Sequence, residues 1–158
     1  MAAQGKKVYL AQSAFVAFLD RAHAKHRQAV AFFRYFSQER YRLYTDTIIL
    51  YESCRQIHFQ ISPSLSQDFL RTISFSDINI IYPQEPDIKS AIKTINNYRS
   101  VDLTFDKALM SVLASKRFIG QIATFDYLPS LFGLTTFFYQ YEKGVIEGME
   151  VGLPKLLP

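Results

Sequence analysis

The residues of this sequence that could act together in chemistry are acids that lie far apart along the chain. Asp126 ends the apolar stretch Ile122–Asp126, which predicts a buried strand with Thr124 and Asp126 on the same face. Glu52 borders the apolar stripe of a predicted helix, and Asp106 falls in the first turn of a later helix. Carboxylates that meet in one place stay ionised together only with a cation among them. Hard oxygen ligands suit Mg²⁺ or Mn²⁺, ions that often serve phosphoryl chemistry.

The elements that must position these acids alternate between strand and helix. The predicted strands are Lys7–Ser13, Arg42–Thr47, Ile78–Tyr82, Ile119–Asp126 and, at an edge of the sheet, Leu134–Phe138. The predicted helices are about Ala14–Asp20, His23–Phe36, Ile48–Ile57, Pro63–Ile73, Glu85–Asn97 and Phe105–Leu113. This alternation predicts an α/β fold with a mostly parallel sheet covered on both faces. The carboxyl ends of the strands should then meet at one edge, where such sheets bind ligands.

Length and composition indicate one globular domain. The chain has 158 residues, of which 49% are hydrophobic and 20% are charged. It has no apolar run of the roughly 18 to 20 residues that a membrane span needs, so we expect no membrane partner. Cys54 is the only cysteine, which excludes an internal disulfide and favours a reducing cytoplasm.

The end of the chain differs from the rest in its composition. We predict a domain over residues 1–138 and a tail over residues 139–158, which carries several Gly and Pro residues. The aromatic residues of Phe137–Tyr141 favour a homodimer or a small protein partner.

Positive charge is concentrated in the first third of the sequence. Through Thr45 there are eight Lys or Arg residues and two acids, a net charge of +6, whereas the remainder carries −2. One interpretation is a polyanion held by the basic part, with Arg21 and Arg27 contacting its phosphate backbone. The other is an ordinary solvated helix surface.

The order of these segments resembles the PIN-domain nucleases, which include toxins of bacterial toxin–antitoxin pairs. The resemblance covers about Lys7 to Phe138. Its motifs are Leu10–Ser13 before a first helix, Leu43–Thr45 with Glu52 seven positions on, Leu103–Leu109, and Ile122–Asp126 followed by Leu131–Thr135. No single motif is specific, but the four together have the order and spacing of the family.

The resemblance implies a three-layer α/β/α domain that cleaves RNA with Mg²⁺ or Mn²⁺. Glu52, Asp106 and Asp126 would then be metal ligands or acids that orient water. Ser13 and Thr124 would be hydroxyls that help to arrange the acids. The expected partners are RNA and an antitoxin or another small protein.

Ala11 departs from the family pattern, because family members have an aspartate there that binds the metal directly. A methyl group cannot bind a cation, so the resemblance implies reduced metal affinity and a reduced rate. Three explanations are open: a naturally degenerate site, an aspartate changed to alanine to silence a nuclease, or a ligand supplied by Asp102 or a substrate phosphate.

Two other functions compete with a weakened ribonuclease. A non-catalytic member of the same fold would bind RNA or a protein partner without cutting. A phosphate- or nucleotide-binding regulator is less consistent with the sequence, which lacks a Gly-rich phosphate loop.

Overall fold

The computed structural model describes residues 5–98, 103–126 and 135–136. In chain order the elements are β1 (Lys7–Leu10), α1 (Gln12–Leu19), α2 (His26–Gln38), β2 (Arg42–Asp46), α3 (Thr47–Gln60), α4 (Pro63–Phe75), β3 (Asn79–Ile81), α5 (Glu85–Asn97), α6 (Phe105–Lys116), β4 (Gln121–Ala123) and β5 (Thr135–Thr136). Every predicted strand and helix has a counterpart among them. Asp102, Phe137–Tyr141 and the predicted tail lie outside the described residues.

Within the described residues, the sheet has five parallel strands in the order β3-β2-β1-β4-β5. The predicted parallel sheet and the edge position of the last strand are therefore confirmed. The central strand β1 is covered on both faces, since Val8, Tyr9 and Leu10 are all fully buried. A strand buried on both sides needs a continuous apolar run, which is what these three residues provide.

Helices cover both faces of the sheet, so the predicted three-layer α/β/α architecture is confirmed. The first four helices, α1 to α4, pack on one another on one face, while α5 and α6 pack together on the other. Lys7 in β1 identifies the face that α6 covers, because its Nζ donates to the backbone oxygen of Arg117 at 2.9 Å. No helix within the described ranges is long and apolar enough to cross a bilayer.

The layer of α5 and α6 is held by a buried acid, Asp87, in the first turn of α5. Its carboxylate accepts the backbone N–H of Gln84 at 2.9 Å and the ammonium group of Lys116 at the end of α6. These bonds lower the pKa of Asp87, with the Lys116 bond as the largest cause. Asp87 therefore links the start of α5 to the end of the helix that carries Asp106.

Two predicted strands run three residues too far at the carboxyl edge of the sheet, whereas the predicted ends of β2 and β3 are one residue too late. The first strand was expected to reach Ser13, but β1 ends at Leu10 because α1 starts at Gln12. The fourth was expected to reach Asp126, but β4 ends at Ala123. Asp126 lies in an exposed bend after the strand, where the alternation of a strand no longer fixes its direction.

The buried stripe of α3 differs from the apolar pattern of the sequence. That pattern favours Ile49, Leu50, Cys54 and Ile57, whereas the fully buried residues are Ile49, Ser53 and Ile57. Leu50 and Cys54 are only partly buried against the core. Ser53 lies in the middle of the buried stripe, and because it is polar, the apolar pattern of the sequence does not predict its position.

Candidate functional site

Ala11 lies at the carboxyl edge, between β1 and α1. It is the N-cap residue of α1, with extended backbone angles (φ −88°, ψ 168°) and no side-chain cap bond. Its N–H donates to the backbone oxygen of Ala123 at 3.0 Å. Continuing the β1–β2 register by two residues sets Ala11 beside Asp46, and continuing the β1–β4 register by one sets it beside Thr124. The methyl group therefore has an acid on one flank and a hydroxyl on the other.

The structure brings Ser13 and Thr124 together on one side of this position. Their hydroxyl oxygens are 3.0 Å apart. The Ser13 hydroxyl also accepts the N–H of Phe125 at 2.8 Å, and the Thr124 hydroxyl accepts the N–H of Asp126 at 3.1 Å. Each hydroxyl has one hydrogen, and the bond between them uses only one of the two. One hydroxyl hydrogen thus remains to donate to a carboxylate, a water molecule or a phosphate.

On the other side lies Asp46, the N-cap residue of α3. Its side chain is almost wholly buried, with the residue 1% exposed. Oδ1 accepts the N–H groups of Ile48 and Ile49, each at 2.9 Å, and Oδ2 accepts the Tyr9 hydroxyl at 2.6 Å. Burial raises the pKa of Asp46 and the charge of Asp106 adds to this, while the three hydrogen bonds oppose it.

Asp106 lies in the first turn of α6, as the sequence predicted. Thr104 is the N-cap residue, although its side chain makes no cap bond. Asp106 is half-buried, and its negative charge is close enough to disfavour the ionised form of Asp46. The structure therefore brings these two acids into one electrostatic environment.

Glu52 lies on α3, half-buried, at a cleft of about 330 Å³. Gln12, Arg55 and Gln56 also line this cleft, and Gln12 Nε2 donates to Gln56 Oε1 at 2.7 Å. No hydrogen bond or ion pair joins Glu52 to another residue in the described part of the chain. Since Gln12 directly follows Ala11, the cleft of Glu52 opens beside the start of α1. Sequence reasoning missed Gln12 and Arg55, which become neighbours of Glu52 only when α1 and α3 pack.

The two arginines that were predicted to contact phosphates lie elsewhere. Arg21 follows the end of α1, and Arg27 lies in the first turn of α2; both are exposed. Arg21 is separated from Ala11 by the length of α1, about 12 Å for eight residues. The structure therefore does not bring these arginines to the carboxyl edge.

A divalent ion such as Mg²⁺ or Mn²⁺ would need several oxygen ligands gathered in one group. Among residues 5–98, 103–126 and 135–136, no three His, Cys, Asp or Glu side chains form a group that could hold a metal ion. The oxygens of Glu52, Asp106 and Asp126 are of the kind that Mg²⁺ and Mn²⁺ bind. They are nevertheless not gathered into one ligand group, so the present arrangement does not fit a tightly held ion.

A larger cavity, of about 540 Å³, lies away from these acids. Phe15, Phe33 and Phe69 line it from α1, α2 and α4, and Arg42 and Asn79 border it at the amino ends of β2 and β3. It thus lies at the opposite edge of the sheet from Ala11. Its aromatic lining offers packing surface, not an acid–base site.

Comparison with known proteins finds similarity in structure only. No protein-family model and no curated protein matches the amino-acid sequence. The crystal structure of Mycobacterium tuberculosis VapC20, a sarcin-ricin loop cleaving toxin, is similar with a TM-score of 0.69 at 13% sequence identity. The match covers 75% of this chain and 89% of that one. The chain therefore has the PIN-like three-layer fold that its sequence resembles.

Proposed function

We propose that this chain is a PIN-like endoribonuclease of the toxin type whose divalent-metal site is weakened by Ala11. The observation that carries the proposal is the position of Ala11. It caps a helix at the carboxyl edge, beside Asp46 and Thr124, where the family resemblance expects an acid. Asp106 contributes a further negative charge to the same edge.

In this proposal Glu52, Asp106 and Asp126 supply the ligands for Mg²⁺ or Mn²⁺. Such an ion, when bound, polarises a phosphate and lowers the pKa of a water molecule. Ser13 and Thr124 hold the bend that carries Asp126 and keep one hydroxyl hydrogen for an acceptor at the edge. The missing carboxylate at position 11 leaves this ligand group incomplete.

The proposed partners follow from the same class of protein. RNA is the proposed substrate, with Arg21 and Arg27 contacting its backbone away from the cleaved bond. An antitoxin or another small protein is the proposed partner, and the chain is proposed to act in the cytoplasm as a homodimer. The similarity to a VapC toxin supports the RNA and antitoxin proposals. Residues 1–138 would form the nuclease domain, with 139–158 as a tail.

A second candidate function is a non-catalytic PIN-like module that binds RNA or a protein partner. One observation favours it: the described acids do not form a group that could hold a metal ion. Such a module would bind RNA equally well with and without a divalent ion, because its affinity would depend on side chains alone.

Cleavage of RNA in MnCl₂ distinguishes the two. The chain would be compared with Ala11→Asp and with Ala11→Asn, a control of similar shape that caps α1 without adding charge. The substrate would be a pool of labelled RNA oligonucleotides that includes a sarcin-ricin loop. Restoring a direct metal ligand should raise cleavage on the order of 100-fold in Ala11→Asp, about 3 kcal/mol of barrier, and leave Ala11→Asn unchanged.

Three outcomes decide against parts of the proposal. If Ala11→Asp neither binds Mn²⁺ nor cleaves, the nuclease proposal is wrong. Binding of RNA by all three proteins without cleavage supports the non-catalytic module. Equal cleavage by the unaltered chain and Ala11→Asp shows that Ala11 does not weaken the site.

A further inference from the structure

We infer that the cleft beside Glu52 binds one unpaired base of single-stranded RNA, with Phe59 as the stacking surface and Arg55 as the phosphate contact. The inference deepens the proposed function and rests on it for RNA as the ligand. It involves no metal ion, because the side chains of this cleft would contact the base and the phosphate directly.

One face of α3 forms a wall of this cleft. Glu52, Arg55, Gln56 and Phe59 share that face, since each lies three, four or seven residues after Glu52. Gln12, at the start of α1, lines the cleft from the other helix. The volume of about 330 Å³ is at the small end of ligand pockets, roughly 300 to 1,000 Å³. This size suits one planar group such as a nucleobase.

Phe59 gives the cleft a flat apolar surface. Its side chain is 76% exposed, and the His58 ring contacts it with centroids 4.8 Å apart and planes at 71°. Any base can stack on such a ring, because every base has a π-face. Phe75 and Phe118 are even more exposed, at 84% each, but they do not line this cleft. Phe59 therefore differs from them in lying beside polar and charged groups.

Arg55 places a positive charge at the rim of the cleft. It is exposed, and it forms no ion pair or hydrogen bond within the described residues. Its guanidinium group can therefore donate to a phosphate with two N–H groups. Tyr51, 62% exposed, lies four residues before Arg55, and Phe59 lies four residues after it on the same ridge of the helix. Rings that alternate with a cation are typical of surfaces that bind single-stranded nucleic acid.

The charges of the cleft favour a base inside and a phosphate outside. Glu52 is half-buried, and its carboxylate repels a phosphate, whereas the exposed Arg55 attracts one. A neutral base can enter beside Glu52 without this repulsion. RNA bound in this way would pass the acid that the proposed function assigns to catalysis.

Two amides offer hydrogen bonds to the edge of the base. Gln12 Nε2 donates to Gln56 Oε1 at 2.7 Å. This bond leaves the Gln12 oxygen and the Gln56 NH₂ group without a hydrogen bond to the described residues. Base edges carry both acceptors and donors, so the two groups can bind one edge together.

The test measures the dissociation constant of a short fluorescein-labelled, single-stranded RNA of mixed sequence by fluorescence anisotropy. EDTA is present throughout, so that metal-dependent cleavage cannot affect the result. The unaltered chain is compared with Phe59→Ala, Phe59→Tyr and Arg55→Gln. Phe75→Ala and Arg71→Gln are the matched controls, because they remove an exposed ring and an exposed charge from α4.

We expect Phe59→Ala to weaken RNA binding about tenfold, because the stacking of one base is lost. Phe59→Tyr keeps the ring and should bind like the unaltered chain. Arg55→Gln should weaken binding and also reduce the slope of log affinity against log salt by about 0.7, the effect of one phosphate contact on a single strand. Phe59→Ala should leave that slope unchanged, and both controls should bind like the unaltered chain.

Four results would overturn the inference. The first is equal affinity of the unaltered chain and Phe59→Ala, which includes the case that neither binds RNA. The second is an equal loss in Phe75→Ala, which would make the effect one of general surface hydrophobicity. The third is an equal effect of Phe59→Ala on duplex RNA, since no unpaired base would then be involved. The fourth is tighter binding of single-stranded DNA than of RNA, which would assign the cleft to DNA.

The proposed function and this inference can fail separately. If Phe59 contributes to RNA binding but Ala11→Asp does not cleave RNA in MnCl₂, the nuclease proposal is wrong, and the inference stands for the non-catalytic RNA-binding module. If Ala11→Asp cleaves RNA and Phe59→Ala binds it as well as the unaltered chain does, only the inference is wrong.

Discussion

Two neighbouring strand-to-helix junctions in this protein differ in how the first turn of the helix is capped. Where β2 turns into α3, Asp46 accepts two N–H groups of the first turn and the Tyr9 hydroxyl. Where β1 turns into α1, Ala11 has the same extended backbone but offers no acceptor. A buried acid caps the helix at the β2–α3 junction, whereas the helix at the β1–α1 junction has no side-chain cap.

In the proposed function, helix capping and metal binding would compete for the same kind of side chain at this edge. A carboxylate at the end of a parallel strand can cap the next helix or face a cation, and its oxygens have limited capacity for both. Asp46 is committed to its donors. Ala11 has a methyl group, which can do neither.

The largest effect on the free energy of unfolding is expected at the β2–α3 junction, where Asp46 caps the helix. Asp46→Ala removes the cap and leaves the buried Tyr9 hydroxyl unpaired, which should cost about 3 kcal/mol of the free energy of unfolding. Urea denaturation measures this loss. Asp46→Asn, which keeps an acceptor, should lose much less. A loss below about 1 kcal/mol in Asp46→Ala would mean that the two junctions do not differ in stability.

A smaller, stabilising effect is expected at the β1–α1 junction, where Ala11 provides no side-chain cap. Ala11→Ser adds an acceptor at an N-cap with suitable backbone angles and should stabilise the protein by about 1 kcal/mol. Ala11→Asp in EDTA should gain less, because its charge stands beside Asp46. Thermal unfolding of both variants measures the difference. Greater stability of Ala11→Asp than of Ala11→Ser in EDTA would contradict the proximity to Asp46.

The smallest expected effect is a pH dependence of stability at the β2–α3 junction, because only that junction has an acid, Asp46. Burial raises the pKa of Asp46 above its ordinary value of 3.8, so its contribution is fully present below that pH and is lost as the pH rises through the folded pKa. Relative to Asp46→Asn, the unaltered chain should therefore lose stability as the pH rises above 3.8 and through the raised pKa of Asp46, which urea titrations at several pH values measure.

Asp87→Asn provides the contrast for this slope. The Lys116 bond lowers the pKa of Asp87 below 3.8, so its contribution is present above that pH and is lost as the pH falls through the folded pKa. The unaltered chain should lose its advantage over Asp87→Asn in acid. Slopes of the same sign for the two aspartates would contradict the assigned environments.

The fold was largely predictable, because strand and helix patterns alternate clearly and this alternation favours one architecture. The order of the acids along the chain could also be read. The position of Asp126 could not, because the hydroxyl of Thr124 ends the extended backbone by accepting the Asp126 N–H. Such a local side-chain hydrogen bond competes with strand pairing, and the hydrophobic pattern of the sequence does not predict it.

The importance of Asp46 was hidden for a different reason. Thr45, Asp46 and Thr47 are all residue types that can cap a helix, so the sequence alone does not single out Asp46. Its position beside Ala11 depends on the register between β1 and β2, which packing of the whole sheet determines. The same holds for Gln12 and Arg55, which line the Glu52 cleft only because α1 lies against α3.

The bond between Ser13 and Thr124 joins residues 111 positions apart in the chain. During synthesis, β1 therefore has an unpaired side until β4 has left the ribosome, and exposed strand sides of this kind can pair with other chains. The edge that holds the acids is also completed only then. A shortened product that stops before β4 would lack this edge, so under the proposed function a growing copy could not cleave RNA until β4 had been made.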